Sequence, residues 1–180
     1  MNNSKISQDT NGMGSFIDKL KKEDNSYGNL SRGMQIFYLV MMIIYSARTV
    51  VEYLETREVR DLVSGFCMPI AFLIFVIVFG KFHKEFKYVD YSLPTISMLK
   101  NVVKRYRPFQ FKNIWVFVAM LIVNFGLSLK LSGDDNFVEF QLIFWVVMIA
   151  AVLIGLLVWR IKYKVLYDNA LALITELEGE

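Results

Sequence analysis

The stretch that decides the fold is residues 140–159, FQLIFWVVMIAAVLIGLLVW, in which Gln141 is the only strongly polar side chain. A helix of about 20 mostly apolar residues crosses a hydrocarbon core roughly 30 Å thick. The backbone N–H and C=O groups of such a helix pair with one another, as they must where water is absent. The stretch therefore predicts a transmembrane helix.

Working outward from it, three more stretches have the same apolar character, namely 34–53, 62–79 and 114–129. The whole chain of 180 residues is 55% apolar with a mean hydropathy of +0.40. Ordinary soluble domains are only about 45–50% apolar. We therefore predict an all-α integral membrane protein with four transmembrane helices.

The charges between these spans predict how the chain is oriented. Segment 81–112, between spans two and three, carries eight basic and two acidic residues, whereas hairpins 52–61 and 130–139 each have a net charge of −2. Lys and Arg are enriched in cytoplasmic loops. Both termini are thus expected in the cytoplasm. We see no signal-peptide or lipidation pattern, so we expect a bacterial-type inner membrane.

This topology divides the chain into three parts. Residues 1–33 form a polar cytoplasmic N-terminal segment, 34–159 form the four-span membrane domain with its basic segment 81–112, and 160–180 form a cytoplasmic C-terminal helix. In the first part, the apolar residues Phe16 and Leu20 stand one helical turn apart. They fit either a short surface helix or a disordered tail.

The basic segment 81–112 contains an apolar pattern with helical spacing. Ile96, Leu99, Val103 and Tyr106 recur every three or four residues and predict an amphipathic cytoplasmic helix. Its predicted basic face consists of Lys100, Lys104, Arg105 and Arg107. This face is expected to contact anionic headgroups or an acidic protein partner, although the same charges could serve only to fix the topology.

The C-terminal residues continue the pattern of span four beyond the membrane. Apolar residues recur in steps of three and four, and no Gly or Pro interrupts 156–178. The resulting stripe consists of Tyr163, Leu166, Ala170, Leu173 and Leu177. We expect one continuous helix whose stripe packs against a second copy of the chain as a coiled coil. The alternative is that the stripe packs on the amphipathic helix of its own chain.

Polar and small residues inside the spans are candidates for special contacts. Arg48 is the only ionisable residue well inside a span, and we predict that it pairs with Glu52 or Glu55 near the outer surface. A gate or an anion-binding role is the alternative. Candidates for helix–helix contacts are Asn124, Gly126, Ala151 and Gly155.

The residue inventory argues against most enzyme chemistry. Cys67 and His83 are the only Cys and His residues, so a disulfide within the chain and a His/Cys zinc cluster are excluded. We find no phosphate loop or serine elbow. We therefore expect no catalytic, cofactor-binding or metal site, and no nucleic-acid partner. The expected function is that of an oligomeric regulatory or scaffolding membrane subunit with a cytoplasmic protein partner. The alternative is an oligomeric ion channel or a small-solute transporter.

Overall fold

A computed structural model describes residues 3–93, 95–107 and 110–179, with side chains described from residue 13 onward. Within these ranges the chain forms six α-helices and no strand. The helices are α1 (Asn3–Thr56), α2 (Val59–Lys87), α3 (Thr95–Tyr106), α4 (Ile114–Leu131), α5 (Phe137–Val158) and α6 (Lys164–Glu178). A 3-10 turn at Phe111–Asn113 precedes α4, and a π-helical turn at Trp159–Tyr163 joins α5 to α6.

Four helices in the described part of the chain are long and apolar enough to cross a membrane. The predicted spans lie within α1, α2, α4 and α5. The structure thus confirms an all-helical chain with four lengths of helix suited to a bilayer.

Helix α1 runs 54 residues without a break. Helix α1 therefore continues across the predicted boundary at residue 33, and residues 13–33 belong to the same helix as span one. The side chains of Phe16 and Leu20, on this helix, are buried. They pack in one core with residues of α3 and α6, which explains why this polar segment is a packed helix.

Helices α1, α2 and α4 form the packed part of the membrane region. Tyr38 of α1 stacks on Phe75 of α2, with ring centroids 4.7 Å apart. Phe75 and Ala71 pack in turn on Ala119 of α4, which is fully buried. Large rings from two helices against a small residue on the third allow the three helices to interdigitate.

Helix α5 packs differently, because none of its residues is buried. Near the α4–α5 hairpin, the Asn124 amide donates to Gln141 at 2.8 Å, and the Gln141 amide donates to Ser128 at 2.8 Å. At the other end the Trp159 indole N–H donates to the Tyr106 carbonyl oxygen at 2.8 Å. Helix α5 is thus attached near its two ends.

One end of the bundle carries a second core, which lies mostly outside the four predicted spans. We call this region the helical cap; it comprises residues 13–33, 82–87, α3 and α6. Its core is formed by Phe16, Leu20, Phe82, Phe86, Met98, Leu99, Val102, Tyr106, Leu166 and Ala170, and it continues to Val78 in predicted span two. Segments far apart in the chain therefore meet in a single apolar unit.

Candidate functional site

The centre of the helical cap is a buried carboxylate. Asp24 of α1 is only 1% exposed. Its Oδ1 accepts a hydrogen bond from the Tyr106 hydroxyl at 2.6 Å, and its Oδ2 accepts from the Tyr91 hydroxyl at 2.6 Å and from the Arg105 guanidinium at 2.9 Å. We call these four residues the Asp24 cluster. It joins α1 to α3 and to the loop before α3.

The Asp24 carboxylate has partners on both oxygens, whereas the Nε–H of its buried partner Arg105 has no hydrogen-bond acceptor among the described residues. A buried carboxylate costs several kcal/mol of desolvation unless a counter-charge and hydrogen bonds offset it. Arg105 supplies the charge, and the two tyrosines supply further donors. Burial raises the pKa of Tyr91 and of Tyr106, and the Asp24 carboxylate raises both further. Both hydroxyls therefore keep their protons at neutral pH and remain donors.

This arrangement corrects the predicted basic face of α3. Arg105 is not a surface residue, because its side chain is 9% exposed and pairs with Asp24. Lys100 is exposed and pairs with Glu178 at 2.7 Å. Lys104 and Arg107 are exposed as predicted.

The buried face of α3 is rotated from the predicted one, since its buried residues are Met98, Leu99, Val102 and Tyr106. Ile96 and Val103 are only half-buried.

The C-terminal stripe is covered by the chain itself. Leu166 and Ala170 are buried in the cap core, with Tyr163 and Leu173 packed against it. Leu177 stays exposed. The central residues Leu166 and Ala170 are therefore covered within the single chain, and packing of the stripe on a second copy stays a prediction. The open alternative, cover by the chain's own amphipathic helix, is what the structure shows.

Two further ion pairs hold the cap to the ends of the spans. Lys162, in the turn between α5 and α6, lies 2.8 Å from Glu23 of α1. Lys112, in the 3-10 turn before α4, pairs with Glu85 of α2. The His83 ring joins α2 to α1, because its Nδ1 lies 2.8 Å from the Gly28 carbonyl oxygen. That oxygen can only accept, so Nδ1 carries the hydrogen.

A cavity of about 530 Å³ lies between α4, α5 and the cap, from which Tyr27, Phe82, Phe86 and Tyr106 also line it. Its apolar wall includes Val116 and Met120 of α4 and Val152 of α5, whereas Arg107 and Gln110 lie at its polar end. Gln110 donates to the Arg105 carbonyl oxygen at 2.5 Å and to that of Arg107 at 3.2 Å. The cavity is thus apolar over most of its wall and basic at one end.

The small residues of α5 line this cavity. Ala151 and Gly155 were predicted to contact another helix, but both are exposed. A Cβ atom added at Gly155 would have nothing within 4 Å. On α4 the situation is reversed, because a Cβ at Gly126 would lie 2.5 Å from the Cβ of Cys67. Asn124 forms the amide contact to α5 described above.

The predicted ion pair of Arg48 also needs correction. Glu52 pairs with Lys130, which comes from the last turn of α4. Glu55 is exposed, and no carboxylate among the described residues lies within ion-pair distance of Arg48. Proximity on one helix face suggested the wrong partner, because the α4–α5 hairpin brings a competing cation.

Arg48→Gln breaks no ion pair among the described residues and removes a charge from inside span one, so it should leave the free energy of unfolding unchanged or raise it. Glu52→Gln breaks a half-exposed ion pair and should cost about 0.2–1 kcal/mol. Thermal unfolding of the two variants in the same detergent tests the order. A larger loss in Arg48→Gln than in Glu52→Gln would contradict it.

The Asp24 cluster was not found from the sequence, although a signal for it exists. Phe16 and Leu20 define one edge of α1, and the next step of four along that edge is Asp24. An acidic residue that continues an apolar edge is a candidate for a buried, paired carboxylate. Its partners Tyr91 and Arg105 lie 67 and 81 residues away in the chain. No local spacing rule connects positions so far apart.

Among the residues that the structure describes, no group of three or more His, Cys, Asp or Glu side chains could hold a metal ion. In the Asp24 cluster, the Asp24 carboxylate of α1 pairs with the Arg105 guanidinium of α3. No family model, no curated protein and no solved structure matches this chain.

Proposed function

We propose that this protein is a non-enzymatic membrane scaffold or regulatory subunit that presents its helical cap at the membrane surface. The observation that carries this proposal is the continuity of the helices. Helices α1 and α2 each run without a break from a predicted span into the cap, and α5 continues into α6 through a π-helical turn. The Asp24 cluster then locks α3 onto α1. A surface held in this way is suited to fixed presentation.

The orientation belongs to the same proposal. Lys100 and Lys104 are exposed on the cap and Arg107 is exposed directly after α3, whereas the opposite hairpins are acidic. The positive-inside rule then favours a cytoplasmic cap. Residues 13–33 and α6 both lie in the cap, which supports the arrangement with both ends inside. We extend this to a bacterial-type inner membrane and to a cytoplasmic protein partner at the basic surface.

Cysteine labelling tests the orientation. In a Cys67→Ala background, Tyr88→Cys introduces a thiol at an exposed position at the cap end of α2, and Asp134→Cys introduces one in the opposite hairpin. We expect a membrane-impermeant maleimide to label only the Asp134→Cys protein in intact cells. Both should be labelled after the membrane is opened. Labelling of Tyr88→Cys alone in intact cells would reverse the orientation.

Self-association is the remaining part of the proposal. The C-terminal stripe is covered, so contact between copies falls to the spans, where α5 is exposed along its length. A pore or transporter remains the alternative only if a pathway forms between copies, because Tyr38 and Phe75 fill the centre of α1, α2 and α4.

Two reconstitutions of the same purified protein separate these functions. In lipid nanodiscs, we expect the mass of the protein to correspond to two or more copies. In liposomes, we expect an ion flux equal to that of protein-free vesicles. A strictly monomeric mass would refute self-association. Flux that rises with protein content would refute the scaffold and favour the pore.

A further inference from the structure

We propose that the cavity between α4 and α5 is a binding site for one anionic phospholipid, with an acyl chain between the two helices and the phosphate at Arg107. This proposal is independent of the scaffold function, because a lipid site is compatible with a pore as well. It rests on where the cavity lies, on its size and on the placement of its charges.

The apolar part of the cavity faces the hydrocarbon of the bilayer. Val116, Phe117 and Met120 of α4 line one side, and Met148 and Val152 of α5 line the other. All five positions fall in the predicted spans 114–129 and 140–159. A gap between two spans has hydrocarbon as its surrounding solvent, so an acyl chain is the material at hand to fill it.

The size of the cavity favours a lipid over a protein segment. Its volume of about 530 Å³ falls within the range of about 300–1,000 Å³ that is usual for small-molecule sites. A helix with side chains is about 10–12 Å wide and rises about 5.4 Å per turn, so the cavity would hold little more than one turn. A span from a second copy needs several turns in contact. The cavity thus has the size of a small-molecule site, and a partner helix would cover its opening rather than fill it.

The polar end of the cavity has the charge expected for a phosphate. Arg105 and Arg107 line it, and no Asp or Glu is among its described lining residues. The Arg105 charge is offset by Asp24 at 2.9 Å. Arg107 is exposed, and no described carboxylate pairs with it. A guanidinium binds a phosphate through two parallel hydrogen bonds. Among the described lining residues, Arg107 is thus a cation without a paired carboxylate.

The depth of the site also fits a lipid headgroup. Trp159, another lining residue, donates its indole N–H to the Tyr106 carbonyl oxygen. Indole rings are enriched at the level of the headgroups. Arg107 lies next to Tyr106 in the chain, so the cation is placed near that level. The phosphate and the acyl chain of one lipid would therefore meet the basic and apolar parts of the cavity together.

Ala151→Phe tests the acyl-chain part of the proposal by filling the cavity. Leu153→Phe is its matched control, because Leu153 is exposed on α5 and does not line the cavity. We expect the parent protein and Leu153→Phe, prepared with phosphatidylglycerol, to keep one lipid per chain in native mass spectra. Ala151→Phe should keep none. Gly155→Leu supplies a second filling variant at a position with open space, in case Ala151→Phe fails to fold.

Arg107→Gln tests the phosphate part, and Lys104→Gln is its control because Lys104 is exposed but does not line the cavity. The parent should bind phosphatidylglycerol in preference to phosphatidylcholine. One basic residue near a phosphate contributes roughly 1 kcal/mol, so Arg107→Gln should lower this preference about fivefold. Lys104→Gln should leave it unchanged.

Several outcomes would overturn the lipid site. One is retention of the lipid by both filling variants at the level of Leu153→Phe. Another is an equal affinity of the parent for the two lipids, or an equal effect of Arg107→Gln and Lys104→Gln. Loss of a dimer mass rather than a lipid mass in Ala151→Phe would show that a second copy occupies this face.

Discussion

Asp24→Asn is expected to lower the free energy of unfolding of the helical cap by about 3–5 kcal/mol, the usual cost of removing one partner from a buried ion pair. The amide keeps one acceptor oxygen, but its NH₂ group then faces hydroxyl or guanidinium donors that Asp24 had satisfied. The positive charge of Arg105 is left buried without its counter-charge. The change in volume is negligible, so the loss reports charge and hydrogen bonding alone.

Hydrogen exchange on the full chain in detergent measures this loss where it occurs. A free-energy loss of at least about 3 kcal/mol corresponds to amide exchange about a hundredfold faster or more in α3 and α6. Amides of α4 should change little. Asp18→Asn is the matched control, because Asp18 is exposed on the same helix. Equal exchange in the two variants would show that the Asp24 cluster does not stabilise the cap.

A double variant separates the charge from the hydrogen bonds. Asp24→Asn combined with Arg105→Gln removes both buried charges, so it should be more stable than Asp24→Asn alone. The two tyrosine hydroxyls keep only part of their acceptors, and recovery should therefore be incomplete. A double variant less stable than either single variant would indicate that Arg105 stabilises the cap through some other contact.

The four membrane-suited helices could be predicted because each one is a local property of the sequence. Residues 140–159 predict a span because they are a run of about 20 mostly apolar residues, and the same criterion predicts the other three spans. The length of α1 was missed for a physical reason. Residues 1–33 are polar and contain Gly12, Gly14, Gly28 and Gly33, which lower helix propensity. Packing of Phe16 and Leu20 in the cap overrides that preference, and packing is not a local property.

The contacts between helices were predicted only where one residue type forces them. Gly126 was identified because a small residue inside a span permits close approach. Pairing was harder, since the choice of Lys130 rather than Arg48 for Glu52 depends on how the hairpins are arranged. The partner of the C-terminal stripe likewise depends on the turn at Trp159–Tyr163 and on the position of α3. Both are decided by the tertiary structure.

Gly126→Ala should produce the second large effect, by forcing α2 and α4 apart. A Cβ at this position would lie 2.5 Å from the Cβ of Cys67 and 2.9 Å from the Ser64 carbonyl oxygen. Both atoms belong to α2, and neither is the end of a flexible side chain, so the helices themselves must shift. Overpacking of this kind costs about 1–3 kcal/mol, and Gly126→Leu should cost more than Gly126→Ala.

Gly33→Ala is the control that reverses the sign of the effect. A Cβ at Gly33 meets nothing within 4 Å, and Gly33 lies inside α1. Replacing a helical glycine by alanine should stabilise by up to about 1 kcal/mol when no contact opposes it. Thermal unfolding in one detergent should therefore place Gly126→Ala below the parent protein and Gly33→Ala at or above it. Cys67→Gly removes the closer of the two contacts, so Gly126→Ala should cost less in a Cys67→Gly background than in the parent, with the Ser64 carbonyl oxygen limiting the difference. If Gly126→Ala unfolded at or above the temperature of the parent protein, α2 and α4 would not approach each other as closely as the distances from Gly126 to Ser64 and Cys67 indicate.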